Sequence, residues 1–337
     1  MMHSHKRTRR DLALLLVAVG MLGLLGLFVD DSYFLHVLIL CFVWVIVVAS
    51  WDLVMGYAGI LTFAQLALFA IGSYASAMLS INHGVPPLLA IPLGALATGV
   101  VGALIAWPSM RLRGEYIALF TFALHLSLPT LLEQGRDLGT GGARGLIGVP
   151  PLQLGELVLR SNSKAAWFFL MLGVAALVVY VIYFVIIGGR WGKAFVALRD
   201  SESFAQSLGI NMRRSQVLIF TVSALFTGLG GALYAQYVGV ITPRVLGNEF
   251  FLMVLIMLSV GGMGKYPGAI LGAFIITIGN ELLRDLGQFR LLVLGVLVVA
   301  VMLWLPNGLA DLRANLARLT GRGGSGQTKA APSDRGA

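Results

Sequence analysis

The sequence predicts an all-α integral membrane protein of about ten transmembrane helices, and three observations carry that prediction. Of its 337 residues, 58% are hydrophobic and only 12% charged, whereas a soluble domain needs roughly 25% charged residues to hydrate its surface. The mean hydropathy is +0.88, so hydrocarbon rather than water must solvate much of the folded surface. The chain also holds 42 glycines, and small residues let helices approach closely within lipid.

A helix crosses roughly 30 Å of hydrocarbon in about 20 residues. In chain order, the apolar runs 12–29, 34–53, 60–80, 86–107, 116–132, 165–187, 217–235, 250–262, 268–286 and 291–305 are read as spans. The first follows Lys6, Arg7, Arg9 and Arg10, as the apolar run of a signal peptide would. It lacks a small-x-small cleavage site and is therefore read as an uncleaved helix. The eighth is short and ends in glycines, which blurs its boundary. Five runs precede Ala165 and five follow, without a strong internal repeat.

Orientation comes from the distribution of Lys and Arg between alternate loops. With the N-terminus inside, the inner segments hold Lys6, Arg7, Arg9, Arg10, Arg111, Arg113, Arg190, Lys193, Arg199, Arg213, Arg214, Lys265, Arg313, Arg318, Arg322, Lys329 and Arg335. That is 17 of the 24 basic residues; Arg136, Arg144, Arg160, Lys164, Arg244, Arg284 and Arg290 fall outside. Both termini are thus expected in the cytoplasm. Residues 1–11 form a basic cytoplasmic N-terminus, 12–306 the membrane domain and 307–337 a cytoplasmic tail, expected to be disordered from Thr320 onward. Two connections are long: 133–164 outside, with the run Gly139-Thr-Gly-Gly-Ala-Arg-Gly-Leu146, and 188–216 inside.

The net charge of +9 lies mostly between spans, so it is assigned to membrane topology and not to nucleic acid. Cys41 is the one cysteine, which excludes an internal disulfide and a cysteine metal site. Within 188–216, Phe195, Leu198, Ser201 or Glu202, Ala205 and Leu208 recur at three- and four-residue steps, predicting a short amphipathic helix over 193–208. Gly209 follows as a left-handed stop. Such a helix suits docking into a groove on a soluble partner.

Gly192, Lys193, Ala194, Ala197, Leu198, Arg199, Asp200, Glu202, Ala205, Leu208, Gly209 and Ile210 resemble the coupling-helix segment of ABC-importer permeases. The resemblance is closest to the branched-chain amino acid permease family (the LivM type), which reads approximately G-R-A-x-x-A-I-R-D-x-E-x-A-A-x-x-L-G-I. Phe204 stands where that family usually has alanine, and Ser203 where an aliphatic residue is usual. Further motifs are similar in the same order. They are Gly56-Tyr-Ala-Gly-Ile-Leu-Thr-Phe-Ala-Gln65 followed by Gly72-Ser-Tyr-Ala75, then Arg111-Leu-Arg-Gly-Glu-Tyr116 and Thr140-Gly-Gly-Ala-Arg-Gly-Leu146. The last is Gly261-Gly-Met-Gly-Lys-Tyr-Pro-Gly-Ala269. Ala64 replaces a usual glycine and Lys265 a usual threonine.

The resemblance implies a type II-like permease bundle in a bacterial inner membrane, importing branched-chain or related amino acids. It implies as partners two cytoplasmic ABC ATPase subunits, a second homologous permease subunit and a periplasmic or lipid-anchored binding protein meeting the 133–164 loop. The ATPases would grip Lys193, Ala197, Arg199, Asp200, Glu202, Phe204, Ala205, Leu208 and Gly209. ATP is then used by the partners, and this chain binds no cofactor and no metal.

Gly59, Thr62, Gln65, Thr121, His125 and Asn280 are the candidate substrate-pathway residues. Polar groups at membrane depth should face other helices or a wet path, and non-helical backbone is tolerated only there. A helix–helix hydrogen bond, worth about 0.6 kcal/mol, is the competing role for Gln65. His125 is read as packed or lining the path, without a proton relay. Arg284 lies one turn from Glu281 and can neutralise it, which gives Asn280 and Glu281 a structural role beside a substrate-receiving one. Asp52, next to Trp51, is read as an interface anchor.

The nearest phosphate-loop match, Gly321-Arg-Gly-Gly-Ser-Gly-Gln-Thr328, has Gln327 where lysine is required. A membrane hydrolase lacks its motifs as well: there is no H-E-x-x-H and no G-x-S-x-G. Two alternatives stay open: a urea or short-amide importer, which shares these motifs, and a secondary transporter, which would need paired intramembrane charges.

Overall fold

The computed structural model describes residues 2–29, 31–112, 114–154, 157–159, 163–287, 289–304 and 308–309. The tail predicted to be disordered, with the imperfect phosphate-loop match, lies outside the described residues. In chain order the helices are α1 (Met2–Phe28), α2 (Ser32–Asp52), α3 (Gln65–Asn82), α4 (Pro87–Ser109), α5 (Glu115–Gln134) and α6 (Lys164–Tyr180). They continue as α7 (Arg190–Asp200), α8 (Glu202–Ser207), α9 (Met212–Val238), α10 (Asn248–Gly261), α11 (Gly268–Leu282) and α12 (Phe289–Trp304). Among the described residues four short strands accompany them. β1 (Leu146–Ile147) pairs antiparallel with β4 (Val240–Ile241), and β2 (Leu152–Leu154) with β3 (Leu157–Leu159).

Each predicted span coincides with a helix, but the match is uneven. Among the described residues six helices are long and apolar enough to cross a membrane; α10 and α11 are shorter apolar helices. Spans three and ten fall on α3 and α12, of 18 and 16 residues, outside those six. Span three also starts late, at Gln65 instead of residue 60, because the preceding backbone is not helical.

Helix α2 is apolar on every side, as a helix enclosed by others must be, and its span is the most buried of the six. The Asp31 side chain starts it by accepting the Tyr33 N–H at 2.9 Å. Helices α6, α9, α10 and α11 pack around it. Beside this core, α3, α4 and α9 cross at glycines. A Cβ on Gly72 would overlap the Gly228 backbone, one on Gly228 would overlap Thr98, and one on Gly231 would overlap the Phe69 carbonyl. Ser73 Oγ donates to the Gly231 carbonyl at 2.8 Å across the same crossing, a bond that the short distance between backbones allows.

Large apolar side chains cover the outside of the bundle. On α1, Leu16, Met21, Leu27 and Phe28 are exposed; on α5, Tyr116, Leu119 and Leu131; on α12, Leu292, Val296 and Leu303. Helix α1 touches the body chiefly through α6, where Gly26 accommodates Phe168. Apolar faces on this scale are not stable in water. With the six apolar helices, they identify a multi-pass membrane protein.

Candidate functional site

The connection from α2 to α3 departs from helical geometry. Leu53–Tyr57 forms a π-helical turn, Gly59 adopts φ +68°, and residues 58–64 run non-helical into Gln65. Backbone exposed in this way must find partners elsewhere. Phe63 N–H donates to Thr121 Oγ1 at 2.9 Å, and the Thr62 carbonyl accepts from Trp51 Nε1 at 2.9 Å. Gln65 Nε2 donates to Ser223 Oγ at 3.3 Å and to Thr227 Oγ1 on α9. Ser223 Oγ in turn donates to the Ser50 carbonyl at 2.6 Å.

Three candidate pathway residues, Thr62, Gln65 and Thr121, therefore converge on one segment, all buried. Gln65 makes the helix–helix bond that competed with its pathway role. His125, one turn beyond Thr121, is buried, and among the described residues neither ring nitrogen has a hydrogen-bond partner. It stacks on Phe251 with centroids 4.9 Å apart. Phe63, Phe122 and Phe251 complete an aromatic group beneath the segment. Period and composition do not distinguish these rings from ordinary core, and the sequence reading missed them, as it missed Ser223 and Thr227.

Asn280 is not part of this group. It lines a separate cavity of about 220 Å³ with Trp44, Tyr234, Glu249, Glu281 and Arg290. Tyr33, at the start of α2, donates to Glu281 at 2.7 Å, and Arg284 pairs with Glu281 at 3.2 Å, as their spacing predicted. Tyr33 and Asp52 stand at opposite ends of the 21-residue α2, about 30 Å apart at 1.5 Å per residue.

Asp52 requires a correction: it is not an interface anchor, because it is completely buried. Its carboxylate accepts the Gly264 N–H at 2.6 Å and the Tyr183 O–H at 2.9 Å. The hint in the sequence was a charge closing a long apolar run, and only tertiary contact shows its partners. Burial pushes the neighbouring Tyr266 phenol up to about 12, so this ring stays neutral where it packs on Tyr183 at 5.1 Å.

Gly59 borders a cavity of about 340 Å³, with Leu61, Glu115, Phe195, Arg199 and Gln216 among its other lining residues. A second, of about 720 Å³, shares Gly114 and Gln216 with it and reaches Gln206 and Arg213. The predicted single helix over 193–208 is two helices. Ser201 is extended, at φ −161° and ψ 108°, and its side chain accepts the Phe204 N–H at 3.4 Å, which ends α7 and caps α8. Gly209 does adopt the left-handed stop, at φ +81°. Phe195 and Ala205 are buried, Ala197 is half-buried, and Lys193 and Asp200 are exposed. Phe204 and Leu208 are each 63% exposed. Glu202 opens α8, and its side chain is outside the described set. Arg199 turns inward, donating from Nη1 to the Gly56 carbonyl at 2.8 Å.

The family described as the permease component of the branched-chain amino acid transport system matches residues 33–303. The chain is 30% identical over 320 residues to the high-affinity branched-chain amino acid transport system permease protein LivM of Escherichia coli (strain K12), covering 89% of this chain and 75% of that one. It is 28% identical over 289 residues to LivH of the same organism and transport system, covering 75% and 88%. It is also 27% identical over 215 residues to the autoinducer 2 import system permease protein LsrC of Enterobacter sp. (strain 638), covering 59% and 56%. No solved structure matches.

Proposed function

The chain belongs to the branched-chain amino acid transport permease family, and from that premise we propose that it is one membrane subunit of an ATP-driven bacterial importer. Its cargo is a branched-chain or related amino acid, carried inward across the inner membrane. The observation that best supports an external energy source is the α7–α8 pair between α6 and α9. It buries Phe195 and Ala205 against the bundle and presents Phe204 and Leu208 outward, as a docking helix does. Two ATPase subunits grip that face. A second, homologous permease completes the pathway, a pairing suggested by the similarity to both LivM and LivH. A binding protein delivers the amino acid to the 133–164 side. All ten predicted spans cross the membrane, with both termini inside.

Cargo is a matter of the site and not of the fold. The likeness to a permease named for autoinducer 2 import illustrates this, and urea or a short amide remains the competing cargo. Ion-coupled transport is disfavoured, since it calls for paired charges at membrane depth, while Glu281 and Arg284 lie at a helix end. The test is uptake by the reconstituted complex of both permeases, ATPases and binding protein in liposomes, using labelled leucine or labelled urea. Leucine should accumulate only with ATP inside the reaction. Urea uptake would reassign the cargo, and leucine uptake without ATP would overturn the energy source.

A further inference from the structure

Arg199 lies on the helix pair assigned to ATPase docking, yet its guanidinium points into the membrane domain. Nη1 donates to the Gly56 carbonyl at 2.8 Å, inside the π-helical turn that follows α2. Its stem fills the space beside Gly59, where a Cβ would overlap Arg199 Cγ and lie 3.2 Å from its Cβ and Cδ. A Cβ on Gly264 would come within 3.1 Å of Nη1. Arg199 thus threads between two glycines that have no room for side chains.

On the other side of Gly56 lies the buried Asp52 carboxylate, held by Gly264 N–H and Tyr183 O–H. A Cβ on Gly56 would overlap both Asp52 Oδ1 and the Gly264 nitrogen. Five pieces of chain meet within this contact: the end of α2, the π-helical turn after it, the 262–267 loop, the turn at Tyr183 and α7. A peg that merely filled space would need no charge, and a carboxylate isolated from water must be compensated by its surroundings. Here a cation reaches the same turn from the helix pair that a soluble partner would move, while its Nε pairs with Asp200 at 3.2 Å. The turn it grips continues directly into the 58–64 segment pinned by Trp51, Thr121 and Gln65.

We propose that Arg199 and Asp52 form the joint that passes movement of α7–α8 to the non-helical 58–64 segment. Both are positioning residues for transport, and Arg199 is not an ATPase-docking contact. The inference rests on the chain being the permease of an ATP-driven importer.

The experiment compares Arg199→Ala, Arg199→Lys and Asp52→Asn with wild type in the full reconstituted complex. It reads ATPase co-purification, ATP hydrolysis and leucine uptake. In Arg199→Ala, the ATPases should remain bound and hydrolysis stay within about twofold, as for loss of one partly exposed contact. Leucine moved per ATP should fall about tenfold, within the usual range for coupling between sites. Arg199→Lys, which keeps a donor for the Gly56 carbonyl, should recover part of the loss. Asp52→Asn retains an acceptor for Gly264 N–H without the charge and should be uncoupled in the same way.

Loss of the ATPases from the Arg199→Ala complex would make Arg199 a docking contact and overturn the joint. So would an unchanged ratio of leucine to ATP in Arg199→Ala, whether both rates are normal or both fall together. If Asp52→Asn does not assemble, the two Arg199 variants decide the outcome. If the wild-type complex itself binds no ATPase or takes up no leucine with ATP, the importer assignment has failed, and the joint falls with it.

Discussion

At the scale of single residues, the α3–α4–α9 crossing is set by what is missing from its glycines. Adding a side chain at Gly72 drives it into the Gly228 backbone, which cannot move aside as a flexible side chain can. We predict that Gly72→Val destabilises the protein by about 1–3 kcal/mol, the usual cost of overpacking. Gly173 is the internal control, because a Cβ there meets nothing within 4 Å. Gly173→Ala should leave stability unchanged or raise it by about 0.5–1 kcal/mol, by restricting the unfolded chain. Denaturant midpoints in detergent would measure both, and equal midpoints for the two variants would refute the close crossing. The abundance of glycine was legible in the sequence, but which glycines touch backbone was not. Asp52 teaches the same lesson from the opposite direction. Its charge was visible, but burial and partners came from residues 131 and 212 positions away.

At the scale of elements, apolar periodicity located the helices well and their interruptions poorly. Residues 60–64 are apolar enough to continue a helix, and Gly59 permits the left-handed turn that prevents it. The 193–208 stripe continues across Ser201, so a count of apolar spacing cannot see that this residue is extended and caps the next helix. The break matters because it divides the labour between α7, which holds Phe195 and Arg199 against the bundle, and α8 with its C-cap, where Phe204 and Leu208 are exposed. The departure from the family's alanine at Phe204 then lies on the open face. We predict that the double variant Phe204→Glu, Leu208→Glu releases the ATPases while the permease stays folded in the membrane. Loss of a buried hydrophobic anchor at an interface costs about 2 kcal/mol or more, roughly a 30-fold weakening. ATPases that co-purify with the variant as with wild type would remove α8 from the docking surface.

At the scale of the whole molecule, the loops that the charge pattern put on one side do meet at one end. Arg199 reaches Gly56, Asp52 reaches Gly264, and one cavity joins Met110 and Gly114 to Gln206 and Arg213. The loops put on the other side meet at the opposite end. Tyr33 bonds to Glu281, Asn82 to the Gly139 carbonyl and Lys164 to Tyr237, and β1 pairs with β4. Such segregation follows from up-and-down helices and holds for either orientation in the membrane. The proposed orientation rests on the excess of basic residues, because retaining Lys and Arg on the cytoplasmic side is favoured during insertion. Each charge carried across a 100 mV potential adds about 2.3 kcal/mol to that preference. The orientation can be read with a membrane-impermeant maleimide, for which the chain is well suited: its one cysteine, Cys41, is buried. Asp137 and Ser203 are exposed at the two ends. In right-side-out vesicles, Asp137→Cys should label at once and Ser203→Cys only after permeabilisation. The reverse order would invert the protein and place α7–α8 beyond the reach of any cytoplasmic ATPase.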